Sequence, residues 1–304
     1  MERAPIIDST TKRKNAIAAA RLTTKTGIPV FSIVEISVVA ACNRRCSFCP
    51  VSDDYYKKVG LSGVMKQSLY EKLLQDLKSI DYSGMILFSG ESKPLLHKRL
   101  DRLISRTKQI LPNTQIEVNS NGDLLTAEKL TSLFSAGLDT LSISMYDGPQ
   151  QIAEFSRLRE EADLKPSQVL LRRRYFEDGN YGINMTNRGG LVDSDAFQVV
   201  SNSESTKAKL KFPISQECYY PFYMLTVDVG ANVTICSHDW AKRYVVGNFA
   251  QDHIFKIWTD TRFDTARRNL AKCDRSLPSC RECNAIGDLI GKDSFVKWVE
   301  HYNQ

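Results

Sequence analysis

From Phe31 to Val39 the chain reads FSIVEISVV, a β-branched run that predicts a strand buried on at least one face. SLYEKLLQDL, opening at Ser68, carries an apolar stripe at Leu69, Leu73, Leu77 and Ile80 with Tyr70 and Leu74. That stripe predicts a helix whose N-cap is Ser68, with Glu71 three residues on completing a capping box. The alternation continues with a strand at Met85–Ser89 and a helix from about Leu95 to Leu111. A strand at Gln115–Ser120 then runs into the turn pair Asn121-Gly122. Leu130, Leu133 and Phe134 mark a helix that Gly137 closes. A strand at Thr140–Met145, a short helix near Gln150–Glu160 and a strand at Gln168–Phe176 follow. Repeated strand–helix units predict parallel strands. Five or six units by residue 200 are too few for a closed eight-stranded barrel. The expected class is α/β, an open, partial (β/α)6 barrel with its chemistry at the carboxyl ends of the strands.

The pattern changes after residue 195. Residues 195–217 are polar and read as a linker, and YMLTVDVGANVTIC then reads as a hairpin about Gly230-Ala231-Asn232. Helical periodicity returns from His253 to Lys272, and Phe295–Tyr302 reads as a closing helix. Three segments are therefore expected: a lead-in over 1–28, the barrel over 29–200, and a small α+β domain with a terminal helix over 201–304.

With 304 residues, 42% hydrophobic and 25% charged, the chain can bury one large core with an appendage, or two cores. Its longest apolar stretch is interrupted by Ser32, Glu35 and Ser37 and is too short to span a bilayer. The first residues lack a signal-peptide pattern, so a cytoplasmic location and no membrane partner are expected. The net charge of +6 is drawn in part from the lead-in. No aromatic-interleaved basic patch accompanies it, which points to a solvated basic arm and not to a nucleic-acid surface. Eight cysteines in such a setting suggest metal ligands more than disulfides.

Cys42, Cys46 and Cys49 stand in CNRRCSFCP at C-x3-C-x2-C spacing. A 4Fe-4S cluster normally takes four thiolates, so three on one polar loop leave one iron open to a non-protein ligand. Structural zinc takes four ligands, usually as C-x2-C with a second pair. Three incidental core thiols are the bland alternative, but Asn43, Arg44, Arg45, Ser47 and Pro50 make the run a turn, not a buried face. Cys218, Cys236, Cys280 and Cys283 form a second set. The hairpin joins the first two and a C-x2-C supplies the others, which taken alone suits either structural zinc or a fully ligated cluster.

The first run, with Phe48 before its last thiol, resembles the signature loop of the radical S-adenosylmethionine (SAM) enzymes. The resemblance extends over roughly residues 30–290. It implies that the open iron binds the amino and carboxylate groups of SAM, which yields a 5′-deoxyadenosyl radical that abstracts a substrate hydrogen. Phe48 is then expected near the adenine. Ser89-Gly90-Glu91 resembles the family's glycine- and glutamate-rich motif for the SAM amino group. Lys93 falls where a glutamate is usual, and Glu91 supplies the carboxylate from a shifted position. Asn119-Ser120-Asn121-Gly122 resembles the family's turn after the third strand. It implies SAM contacts at Asn119 and Ser120, with Ser144 on the next strand and Arg173, among Arg172–Arg174, turned inward. Asn187-Arg188-Gly189-Gly190 resembles an N-R-A-G motif of some relatives, with no role assigned. His238 and Asp239 are candidates for the substrate space.

C-x2-P-F from Cys218, Val246-Gly247-Asn248, Ile257-Trp258 and the closing Cys280-x2-Cys283 resemble the SPASM/twitch extension of that family. With no cysteine after Cys283, the shorter version with one auxiliary 4Fe-4S cluster is implied. Cys273 is left over. It is a half-buried thiol, an alternative ligand, or a hydrogen donor to a substrate radical. The function implied is dehydrogenation, or epimerisation through Cys273, of a carbohydrate- or aminocyclitol-like small molecule. An electron donor such as flavodoxin or ferredoxin would serve it. The alternatives are maturation of a ribosomally made peptide and, in another class, a zinc-stabilised binding module.

Overall fold

A computed structural model of the chain describes residues 9–52, 62–91, 93–175, 186–192 and 211–303. Ser92, Phe176 and most of the expected linker (195–210) lie outside the described residues. Helix α1 (Ser9–Ala20) is followed by a two-stranded ribbon, β1 (Thr24–Lys25) and β2 (Ile28–Pro29). The alternating core then runs β3 (Ile33–Ile36), α2 (Gln67–Ser79), β4 (Met85–Phe88), α3 (Leu100–Ile110), β5 (Gln115–Ser120) and α4 (Ala127–Ser135). It closes with β6 (Thr140–Met145), α5 (Gln150–Glu161) and β7 (Val169–Arg173). The C-terminal part contributes α6 (Tyr220–Tyr223), β8 (Met224–Val227), β9 (Asn232–Thr234), β10 (Val245–Asn248), α7 (Ile254–Trp258), α8 (Thr261–Ala271) and α9 (Lys292–Tyr302).

Apart from the β1–β2 ribbon, the strands form one eight-stranded sheet in the order β10-β9-β8-β3-β4-β5-β6-β7. Six neighbours, β8 to β7, are parallel, and β9 and β10 extend them antiparallel. The sixth parallel strand thus comes from the C-terminal hairpin, which zips along β3 with Glu35 opposite Thr226.

Strand parity divides the sheet. Val34, Ile36, Ile86, Phe88, Ile116, Val118, Leu141 and Ile143 face the helices in the main core. Ile33, Met85, Leu87 and Met224 face the lumen and pack with Ala18 and Tyr223. Glu35, Glu117 and Thr226 share this inner parity, so a polar layer sits above an apolar floor.

Over its described residues, 9–28, the lead-in is not a solvated arm. Helix α1 is docked, and Arg13 Nη1 bonds Glu117 Oε2 at 2.6 Å and Nη2 bonds Thr140 Oγ1 at 3.1 Å. Lys14 Nζ lies 3.5 Å from Glu117 Oε1. A fully buried carboxylate needs a counter-charge, and these cations supply it.

Two local expectations are corrected. Helix α2 is capped at Lys66 without a side-chain bond, so Ser68 lies inside the first turn. Glu71 is drawn away to Arg106, which reaches it through Nε and Nη2 at 2.9–3.0 Å. The expected helix from Leu95 is a short 3-10 turn at Pro94–Leu96, and the α-helix starts at Leu100 because His97 is extended. Gly137 does close α4. Its φ is +106°, and Leu138 N bonds Leu133 O at 3.1 Å. No helix among the described residues is long and apolar enough to cross a membrane.

Candidate functional site

Strand β3 delivers the first cysteine loop. Cys42, Cys46 and Cys49 are half-buried, and Cys49 N bonds Cys46 O at 3.0 Å across a tight turn. Burial, with Cys49 and Cys42 close by, pushes the Cys46 thiol up to about 11. Burial also raises Cys49, while the Arg188 guanidinium pulls it down. Arg44, between the first two thiols, clamps the loop. It reaches Asp123 Oδ2 through Nε at 2.6 Å and both Asp147 oxygens at 2.6–2.7 Å. Asp123 first, then Asp147, hold its charge well above the usual arginine range. Asn43 also bonds Asp123 at 2.7 Å, and Asn121 bonds Asn43 at 2.9 Å. Phe48 is buried, its ring centroid 5.4 Å from that of Tyr146.

The Ser89-Gly90-Glu91 turn lies at the carboxyl end of β4. Gly90 has φ +87°, and a Cβ there would strike the Ser37 hydroxyl, so only glycine fits. Ser37 Oγ donates to Ser89 O and accepts from Glu91 N, each at 3.2 Å. Asn119 Nδ2 reaches Ser89 Oγ at 3.3 Å, and Arg172 Nη1 reaches Asn119 Oδ1 at 3.2 Å. Ser144 is buried and hydrogen-bonds the Tyr146 side chain.

Parity corrects two expectations. Ser120 follows Ile116 and Val118 to the helix side, where its hydroxyl accepts from Gly122 N at 3.2 Å and braces the turn. Arg173 is exposed, with its guanidinium 5.2 Å from the Tyr175 ring. The neighbouring Arg172 is the one that reaches Asn119. Glu91 is ion-paired to Lys242, which meets both its oxygens at 2.7–2.8 Å and lies 3.8 Å from Asp228. Nothing in the sequence pattern flagged Lys242.

Cys218, Cys236, Cys280 and Cys283 are all buried. Burial pushes Cys218 up to about 11 and Cys280 up to about 12, with neighbouring thiols of the set adding to both. Cys236 rises through burial and then through Cys280 and Cys283. These mutual influences put the four thiols within electrostatic reach of one another. Arg275, buried and missed by sequence reasoning, braces it by donating to the carbonyls of Gln216, Ala285 and Glu217 at 2.9–3.0 Å. Asn187 ties its own turn to Glu282 O at 2.6 Å and to Asn284. Arg188 lies 5.0 Å over the Trp240 ring.

His238 is wired to Thr186 Oγ1 at 3.1 Å and Tyr220 OH at 3.0 Å. Burial, then Arg188 and Arg275, push it down to about 3. Both ring nitrogens are thus taken up by neighbours within the fold. Asp239 accepts from Arg243 N and Tyr244 N at 2.9 Å. Cys273 sits half-buried just past α8 with φ +61°. Among the described residues no three His, Cys, Asp or Glu side chains close on a single ion.

A narrow cleft lies between the Gly90-Glu91 turn and the Cys236–Lys242 segment. Gly90 and Glu91 line one wall, Cys236, Asp239, Trp240 and Lys242 the other, and Glu35 and Thr226 the floor. Cys273 and His238 are not among its lining.

A parallel α/β sheet with a three-thiol loop at the end of its first core strand, beside a buried four-thiol set, defines a SAM-dependent iron–sulfur enzyme. The chain belongs to the radical SAM superfamily, whose family model matches residues 36–173, and carries a SPASM iron-sulfur cluster-binding domain at residues 218–284. It is 28% identical over 258 residues to the S-adenosyl-L-methionine-dependent 2-deoxy-scyllo-inosamine dehydrogenase of Niallia circulans, across 84% of this chain and 94% of that protein. The crystal structure of BtrN in complex with AdoMet and 2-DOIA matches with a TM-score of 0.70 at 27% identity, covering 86% of this chain and 96% of that one. The native anSMEcpe structure with bound AdoMet shares the fold, with a TM-score of 0.51 at 12% identity over 89% and 96% of the two chains.

Proposed function

We propose that the chain dehydrogenates a small hydroxylated, aminocyclitol-like molecule by hydrogen abstraction. In this reading Cys42, Cys46 and Cys49 hold a 4Fe-4S cluster with one iron open to SAM. Cys218, Cys236, Cys280 and Cys283 hold one auxiliary 4Fe-4S cluster. The donor chemistry fits both groups: three half-buried thiols on an open loop suit an incomplete shell, and four buried thiols suit a closed one. Bound at the first site, SAM and the reduced cluster supply the radical chemistry.

The chain's own residues position and shield. Arg44 fixes the cysteine loop, and the Ser37–Gly90–Glu91 turn offers a carboxylate to the SAM amino group. Asp228, 3.8 Å from Lys242, is at hand to take that ammonium when Glu91 changes partner. Phe48, Asn119, Ser144 and Arg172 line the SAM side. The observation that carries the reading is the cleft, whose lining brings Glu91 and Cys236 together. The named relative acts on an aminocyclitol, which supports that substrate class here. Cys273 lies outside the cleft lining, which favours dehydrogenation over epimerisation. A flavodoxin or ferredoxin as reductant, in a reducing cytoplasm, suits eight free thiols.

The test is anoxic reconstitution followed by reaction with SAM, a reductant and 2-deoxy-scyllo-inosamine. About eight irons per chain are expected, with deoxyadenosine and a ketone product formed together. A colourless protein that never forms deoxyadenosine rules the reading out.

A further inference from the structure

We propose that Glu35, with Thr226 beside it, is the subsite that holds an ammonium group of the substrate, so that the enzyme selects an amine-bearing ring over its all-hydroxyl counterpart. The inference rests on the small-molecule reading above and narrows its substrate class.

Glu35 on β3 and Thr226 on β8 are register partners on the inner face, and both line the cleft. Glu35 is only 6% exposed, yet its Oε2 has no hydrogen-bond partner, and neither has Thr226 Oγ1. Buried polar atoms are rarely left unpaired, so two adjacent orphans on one cleft floor mark the place of a polar ligand.

The other acids nearby are occupied. Asp228 accepts from Gly230 N and Asn232 N, Asp239 from Arg243 N and Tyr244 N, and Glu91 holds Lys242. Glu117, whose Oε1 also lacks a hydrogen bond, has Arg13 and Lys14 as counter-charges at 2.6 and 3.5 Å. Among the described residues, Glu35 has an oxygen with no hydrogen-bond partner and no ion pair.

Charge sets the sign of the ligand. Glu35, Glu91, Asp228 and Asp239 line the cleft against a single ammonium, Lys242, which is already paired. A cleft of that balance attracts a cation. Burial raises the pKa of Glu35 by more than Lys14, a Ser89 hydrogen bond and Arg188 lower it, so a directly bonded ammonium would relieve the strain of burying its charge.

The test uses holoenzyme with both clusters reconstituted and SAM present. An aminocyclitol, and the cyclitol with hydroxyl in place of the amine, are titrated calorimetrically. Wild type is expected to prefer the amine. Glu35→Gln should lose about 30-fold in affinity for the amine and no more than about 3-fold for the cyclitol, the scale of one charge-assisted bond. Thr226→Val should narrow the preference by a few-fold, and serves as the test should Glu35→Gln fail to hold iron. SAM affinity, titrated separately, should stay unchanged. Equal loss for both compounds, no loss for either, or an equal loss of SAM binding overturns the subsite. If wild type oxidises the amine while Glu35→Gln binds it normally, only the subsite falls. If wild type neither binds nor oxidises it, the substrate reading falls and the subsite with it.

Discussion

Arg44 shows how one side chain can hold a loop that carries few apolar contacts. Its planar fork meets two carboxylates from two different strand ends, Asp123 after β5 and Asp147 after β6. A lysine keeps the charge but not the fork. Arg44→Lys is expected to weaken cluster retention at the first site by about 10–100-fold, the usual effect of losing a group that orients ligands. Iron titration against a chelator reads this directly.

Arg275 poses the same question at the second site. Arg275→Met leaves one buried carbonyl, Ala285, and two part-buried ones, Gln216 and Glu217, without their donor, and urea denaturation should show a loss of about 1–3 kcal/mol. At this scale the cysteines were legible as candidate ligands, because ligand spacing is written in the chain itself. Ser120 and Arg173 were misassigned because motif resemblance locates a turn but not which face a side chain takes. Register decides that, and a single step in parity exchanged Arg173 for Arg172. Lys242 and Glu35 were not legible as site groups, since their partners, or lack of them, arise from segments far apart in sequence.

Among the elements, α1 departs most from expectation. Its basic residues looked like solvent-facing charge, but they neutralise Glu117 at the lumen. Burial works to raise the Glu117 pKa, and Lys14 and Arg13 together outweigh it, leaving it lowered. A carboxyl with a depressed folded pKa contributes stability above its unfolded value, and loses it as pH falls through the folded one. Removing α1's charges should therefore weaken the protein at neutral pH and matter little in acid. Arg13→Ala is expected to cost about 1–3 kcal/mol at pH 7, since Lys14 remains, and progressively less below pH 4. Denaturant titrations across that range check the sign.

The strands and most helices were legible because β-branched runs and apolar stripes report burial directly. Helix starts were not. Ser68 and Glu71 satisfy the capping pattern, yet Glu71 finds a better partner in Arg106, a contact 35 residues away.

At the scale of the molecule, the two cysteine sets should separate on mutation. Replacing Cys280 and Cys283 together by alanine is expected to halve the iron from about eight to about four per chain. Reductive cleavage of SAM should persist while ketone formation is lost, and paired iron assays and product analysis decide it. Loss of deoxyadenosine as well would mean that the two sites are not independent.

The number of parallel strands was legible, but the origin of the sixth was not. The C-terminal hairpin looked like an appended unit with its own small sheet. Instead β8 lies between β3 and β9 and bonds to both. Cys42 and Cys236 therefore hang from one continuous backbone lattice, not from two lobes on a hinge. The two cysteine-bearing segments are thus rooted in the same sheet, and the spacing of those roots does not depend on a hinge between two separate sheets.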